Sequence, residues 1–182
     1  MRELIDLTGQ LFGRLRVMVR RASLDGRSRM TQPIVSLVRE FTFDAAHRIT
    51  NHWGKCRSLH GHHWVTTVVL RGPVEPATGM VVDFSTVKAL CGALFDEWDH
   101  SVLLHKDDPL VAACEAIYSR MHVFDFEPTS ENLAVYAFDW IACEMSRLVG
   151  VQHVTLTSVT IRETVACSAM YTGEYGGEDG TA

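Results

Sequence analysis

The sequence predicts an α+β domain in which a four-stranded antiparallel sheet carries two helices on one face, in the order ββααββ. Two periodicities predict it. Four segments alternate apolar and polar residues as strands do, and between the strand pairs two longer segments repeat apolar residues at helical spacing.

The first strand covers residues 34–47, where Val35, Leu37, Phe41, Phe43, Ala45 and His47 share one parity and therefore one face. The second runs from His60 to Leu70 and closes at Arg71-Gly72-Pro73. After a short extended piece at Val81-Val82, Asp83 is placed to cap a helix that continues to Trp98, with Leu90, Leu94 and Trp98 on its inner side. Residues 105–128 read as a long irregular connection with room for a short helix at 109–120. A second helix begins after Thr129: Leu133, Tyr136, Ala137, Trp140, Ile141, Glu144 and Leu148 recur at its spacing, and Gly150 stops it. Residues 151–162 and 167–175 alternate as the last two strands.

These elements place the domain at residues 34–176, with an Arg-rich extension at 1–33 and a polar tail at 177–182. The extension reads as a disordered arm or as an over-long gene model whose true start is Met30; Glu3 and Asp6 interrupt the basic run that a transit peptide needs. Its seven Arg against three acids leave residues 31–182 at about −9 of the formal net charge of −5. An acidic domain argues against nucleic acid as a partner. No apolar run approaches the roughly 20 residues of a membrane span, so none is expected. Five Cys at irregular spacing do not form a disulfide framework, which points to the reducing cytoplasm. Cys91, Cys114 and Cys143, set among apolar residues, read as small buried hydrophobes.

His60-Gly61-His62 puts two imidazoles at i and i+2 on one strand face, within reach of one ion. His47 ends the preceding strand, after the small Ala45-Ala46. Three neutral nitrogens suit zinc and leave a fourth position for water or substrate, as in catalytic sites. His52 and His63 stand outside this pattern, His63 having the opposite parity. Cys56 lies between Lys55 and Arg57, cations that favour its thiolate. Three roles stay open for it: a base, a fourth zinc ligand, or an inert loop thiol.

Phe41-Thr-Phe-Asp-Ala-Ala-His47, Cys56-Arg-Ser-Leu-His-Gly-His62, Gly79-Met-Val-Val-Asp-Phe84, Asp99-His100, Pro128-Thr-Ser-Glu-Asn132, Glu163-Thr164 and Tyr171-Thr-Gly-Glu174 together resemble, in order, the signature of the 6-pyruvoyltetrahydropterin synthase superfamily. The resemblance covers roughly residues 35–175. Three residues between Cys56 and His60 resemble the spacing of its 6-carboxytetrahydropterin synthase branch, the enzymes of queuosine and 7-deazaguanine synthesis.

The resemblance implies Zn2+ on His47, His60 and His62, and a proton-transfer triad of Cys56, Asp99 and His100. It implies a pterin anchored by Glu163, with Glu131 and Thr129 touching the substrate, although Thr129 also suits an N-cap and Glu131 a first-turn acid. The implied reaction converts dihydroneopterin triphosphate to 6-carboxy-5,6,7,8-tetrahydropterin with loss of acetaldehyde and triphosphate. The pyruvoyl branch would instead eliminate triphosphate with an internal redox shift, and a non-catalytic pterin-binding or zinc-binding protein is the alternative outside enzymes. The implied architecture is the tunnelling fold, a homohexamer with active sites between subunits. Two departures stand out: Leu103-Leu104 leads to His105 where the family commonly has Asn, and the connection 106–127 is longer than in the shortest members.

Overall fold

The structure, a computed structural model, describes residues 32–175. The readings made for the extension, apart from Gln32 and Pro33, and for the tail at 177–182 fall outside the described residues. The elements in order are β1 (Ile34–His47), β2 (His60–Pro73), α1 (Phe84–Trp98), β3 (Ser101–His105), α2 (Leu110–Ala116), β4 (Met121–Phe124), α3 (Ser130–Arg147), β5 (Thr155–Thr164) and β6 (Cys167–Tyr171).

The α+β class stands, but the sheet has six strands in the order β4-β3-β1-β2-β5-β6, and it is mixed rather than antiparallel. β1 and β2 pair antiparallel along their full length, from Ile34 opposite Pro73 to His47 opposite His60. β5 continues the antiparallel ladder beyond β2, with an irregularity at Val69/Leu70, and β6 follows it. On the other side β3 lies parallel to β1, and β4 parallel to β3. The short helix allowed for at 109–120 forms as α2, whereas the two strands carry no signal of their own in the sequence, for one reason. β3 is a run of five residues that does not alternate in burial, and β4 has four, so neither shows a strand period of its own. Parallel neighbours need a crossover, and α2 is the one that links β3 to β4.

The predicted caps form. The Asp83 carboxylate accepts from the Ser85 N–H at 2.6 Å, and the Thr129 hydroxyl accepts from the Asn132 N–H at 3.3 Å. α1 buries Val87, Leu90, Cys91, Leu94, Phe95 and Trp98, and α3 buries Leu133, Ala134, Ala137 and Ile141. Gly150 takes the left-handed conformation at φ 95° just past α3. Three boundaries move: β2 reaches Pro73, β5 begins only at Thr155, and β6 ends at Tyr171. Val151 and Val154 are buried without strand pairing, which explains their strand-like alternation.

α1 packs over β1, and α3 over β5 and β6, on the sheet face that carries Phe43, Ala45, Trp64 and Val68. Phe43 is the hub, with ring centroids 5.4 Å from Trp98, 5.8 Å from Trp64 and 6.1 Å from Phe95. Burial pushes the Cys91 thiol up to about 12, so it is inert as expected, and Cys114 is also buried. Cys143 is exposed instead, because its place on α3 faces away from the sheet. Among the described residues no helix is long and apolar enough to cross a membrane.

Truncating Phe43 to Ala removes the ring that β1, β2 and α1 share. The expected loss is about 3–5 kcal/mol of unfolding free energy in urea denaturation; a loss below about 1 kcal/mol would show that Phe43 is not the hub of this core.

Candidate metal centre and active site

The β1–β2 register builds the centre. His47 stands opposite His60, and Ala45 opposite His62, so all three imidazoles share the helix-covered face. Their ring centroids lie 4.5 Å (His47–His60), 5.2 Å (His47–His62) and 4.9 Å (His60–His62) apart. The Trp64 ring underlies His47 and His62, and its indole N–H donates to the Ala45 carbonyl at 3.1 Å.

Backbone carbonyls orient two of the rings. His47 Nδ1 donates to the Pro128 carbonyl and His60 Nδ1 to the Ser58 carbonyl, both at 2.8 Å. A carbonyl only accepts, so Nδ1 carries the proton and Nε2 keeps a free lone pair, as a metal-binding histidine requires.

Glu163 completes the cluster. Continuing the β2–β5 register one step past Val65 opposite Arg162 sets Glu163 beside Trp64, on the histidine face. Its Oε1 lies 3.3 Å from His47 Nε2 and 3.0 Å from His62 Nε2. Neither contact has hydrogen-bond geometry, so both buried nitrogens lack a hydrogen-bond partner. The four ligand atoms lie within 4.8 Å of one another, and the cluster could hold a metal ion. Its separations suit the roughly 3.4 Å ligand-to-ligand edge of a tetrahedron with bonds near 2.1 Å.

The electrostatics favour neutral rings. Burial lowers the His47 pKa from 6.5, and its neighbours His60 and His62 lower it further, against the opposing pull of the Pro128 carbonyl and Glu163. Burial likewise lowers His62, with Glu163 opposing.

The triad residues are distributed differently. Cys56 sits half-buried in the single helical turn Lys55–Arg57 between β1 and β2, and its carbonyl accepts from the Ile49 N–H at 2.9 Å. Asp99 closes α1. Its Oδ1 accepts from the Asp44 N–H at 2.8 Å, and its Oδ2 from His100 Nδ1 at 2.7 Å. The Asp44 N–H and then the His100 ring hold the Asp99 carboxyl below the usual carboxylate range. His100 lines an open depression of about 400 Å³ together with Asp44, Gly61, His63, Ser101 and His62, a member of the histidine cluster. Among the described residues no hydrogen bond or ion pair joins Cys56 to Asp99 or His100.

Thr129 caps α3, as its alternative reading expects, and Glu131 is exposed in the first turn with a 3.3 Å contact from Ser130 Oγ. His105 is tied into its own turn, accepting from the Asp107 N–H at 3.1 Å. Two polar groups were not anticipated. His63 and Asp44, opposite each other across β1 and β2, are hydrogen-bonded at 2.8 Å, which the His47–His60 register dictates. Glu127 bonds the loop after β1, and nothing in the sequence announces that contact.

The lowered histidine values carry a sign. The unfolded chain binds protons on these rings near 6.5, whereas the folded protein binds them only at lower pH, so protonation favours unfolding. For metal-free protein the stability is complete above about pH 6.5 and falls as pH drops through the folded values. The urea midpoint should decline between about pH 7.5 and about pH 5.5, and His47→Gln, which cannot titrate there, should decline less. Equal declines would remove His47 from the acid response.

Comparison with known proteins follows the same outline. A 6-carboxy-5,6,7,8-tetrahydropterin synthase of Rickettsia typhi is 32% identical over 137 residues, covering 74% of this chain and 97% of the relative. A 6-pyruvoyl tetrahydrobiopterin synthase of Drosophila melanogaster is 30% identical over 157 residues, covering 79% and 83%. The solved structure of Caenorhabditis elegans 6-pyruvoyl tetrahydropterin synthase superposes with a TM-score of 0.60 at 30% identity, covering 80% of this chain and 100% of that one. The profile described as 6-pyruvoyl tetrahydropterin synthase matches residues 36–174, and the chain belongs to that family of pterin lyases.

Proposed function

We propose that the chain is a zinc-dependent carbon–carbon lyase that converts 7,8-dihydroneopterin triphosphate to 6-carboxy-5,6,7,8-tetrahydropterin, releasing acetaldehyde and triphosphate, in queuosine and 7-deazaguanine synthesis. The observation that carries it is the convergence of His47, His60 and His62 with Glu163, two of the rings locked by backbone carbonyls so that Nε2 faces inward. The three-residue spacing from Cys56 to His60 and the name of the Rickettsia relative support the carboxy branch. The Drosophila and C. elegans proteins support the pyruvoyl branch as the second reading.

His47, His60 and His62 would hold the zinc, which when bound supplies Lewis acidity toward the side-chain hydroxyls of the substrate. Glu163, which in this structure stands against His47 and His62, would turn from them to accept two parallel bonds from the amino and ring N–H edge of the pterin. Cys56, between Lys55 and Arg57, is the base that withdraws a carbon-bound proton. His100, its Nδ1 held by Asp99, is the partner acid, its Nε2 free to give or take a proton. Thr129 and Glu131 border the site at the start of α3. With no bond joining Asp99–His100 to Cys56 within one chain, this reading has the complete set form where His100 of one copy meets Cys56 of another. A homohexamer of the tunnelling fold is the assembly that this reading requires.

The test is to incubate zinc-loaded protein with dihydroneopterin triphosphate and quantify acetaldehyde and the pterin product. Acetaldehyde with the 6-carboxy product is expected; triphosphate without acetaldehyde would move the chain to the pyruvoyl branch. Cys56→Ala should lose turnover by roughly 100-fold or more while keeping its zinc. Zinc lost together with activity would instead make Cys56 a ligand.

A further inference from the structure

The chain fixes both halves of the metal-side chemistry through two consecutive residues. Pro128 offers the carbonyl that orients His47, and Glu127, immediately before it, grips the base of the loop that carries Cys56. The Glu127 carboxylate accepts from the Thr50 N–H at 3.0 Å, from the Thr50 hydroxyl and, more weakly, from the Asn51 side-chain amide at 3.4 Å. Its own carbonyl is held in turn by the Asn132 side-chain amide at 3.0 Å and the Thr129 N–H at 2.8 Å. The residue is thus anchored on the start of α3 and reaches outward from there.

Thr50 is well placed for that grip. Its neighbour Ile49 donates to the Cys56 carbonyl at 2.9 Å, and the same Ile49 accepts from the His52 N–H at 3.2 Å. Residues 49–56 therefore close on themselves, and whatever holds Thr50 holds the turn bearing the thiol. All the described partners of the Glu127 carboxylate are neutral: one N–H, one hydroxyl and one amide. A carboxylate spent on neutral donors is not explained as an ion pair. Charge-assisted bonds are the stronger kind, and two of these converge on a single residue of an otherwise irregular loop.

We propose that Glu127 is a positioning residue that, acting through Thr50, sets the Cys56 thiol against the metal-binding histidines. The proposal rests on the proton-transfer role given to Cys56 above. Proton transfer needs hydrogen-bond reach, and a displacement of about 1 Å can cost up to about 100-fold in rate.

The experiment compares Glu127→Ala, Glu127→Gln and Thr50→Val in zinc-loaded protein, measuring zinc content, kcat, KM and the rate of Cys56 alkylation by iodoacetamide. Cys143 and Cys167, the other exposed thiols, are replaced by Ser in every sample. The expected result for Glu127→Ala is unchanged zinc, kcat lower by roughly 10- to 100-fold, KM within about 3-fold, and an alkylation rate altered by more than about 3-fold. Glu127→Gln, which keeps an acceptor oxygen, should recover part of both effects, and Thr50→Val should reproduce the loss without touching α3. Wild-type alkylation in both Glu127→Ala and Thr50→Val would overturn the proposal. So would zinc loss in parallel with kcat, which would assign Glu127 to the His47 side through Pro128. If the parent protein shows no pterin turnover, the functional reading fails, while the alkylation comparison still decides whether Glu127 positions the thiol.

Discussion

Everything at the centre depends on one hairpin register. Because His47 pairs with His60 and Ala45 with His62, three imidazoles come to a single face over Trp64. Strand side chains alternate, so a slip of one residue between β1 and β2 would send one strand's histidines to the opposite side and bury Asp44 or His63 in their place. The register is held by what lies further along the same face. Phe43, Trp64 and Val68 are buried under α1 and α3, and the full-length ladder of β1 and β2 leaves no slack for slippage. The core that stabilises the domain is therefore also the jig for the metal cluster. Its cost is that the ligands sit at the edge of an apolar layer, where the neutral ring is favoured and an unligated Nε2 has no hydrogen-bond partner.

The same alternation divides the polar residues of the hairpin into two populations. Even-numbered Asp44 on β1 and odd-numbered His63 on β2 face away from the histidines, and the end of α1 docks against them. His100 makes that docking possible. It adopts the left-handed conformation at φ 56°, at a cost of about 1–2 kcal/mol for a residue with a Cβ. In this conformation its N–H donates to the Asp44 carbonyl at 2.7 Å while Asp99 receives the Asp44 N–H. One strand residue thus satisfies both ends of the α1–β3 junction. Strain at a residue whose ring is fixed by a neighbouring carboxylate fits a group held for chemistry rather than for packing.

How far the sequence could be read follows from which forces are local. β1, β2, α1 and α3 announce themselves through period and through caps at Asp83 and Thr129, because each is long enough to bury its own stripe. The metal histidines were legible for the same reason, since i and i+2 spacing on a strand fixes their common face. β3 and β4 were not, because both exist only by pairing with β1 and with each other, and a short buried run carries no period. Glu163 was assigned to the pterin from the resemblance alone. Its approach to His47 and His62 depends on the β2–β5 register across roughly a hundred residues of chain, which no local pattern encodes.

The two outermost strands bear on how this chain meets other chains. β4 has four residues and β6 five, so each border of the sheet offers only a short row of open backbone groups. A row that short can zip onto one neighbour but gives poor purchase for stacking without end, and brevity at sheet borders is a common guard against fibrous aggregation. β1, by contrast, is paired with β3 only at Ala45–His47, so among the described residues its Ile34–Asp44 stretch is open on that side. The longest stretch open to a further strand is thus on β1 and not at the two outermost strands.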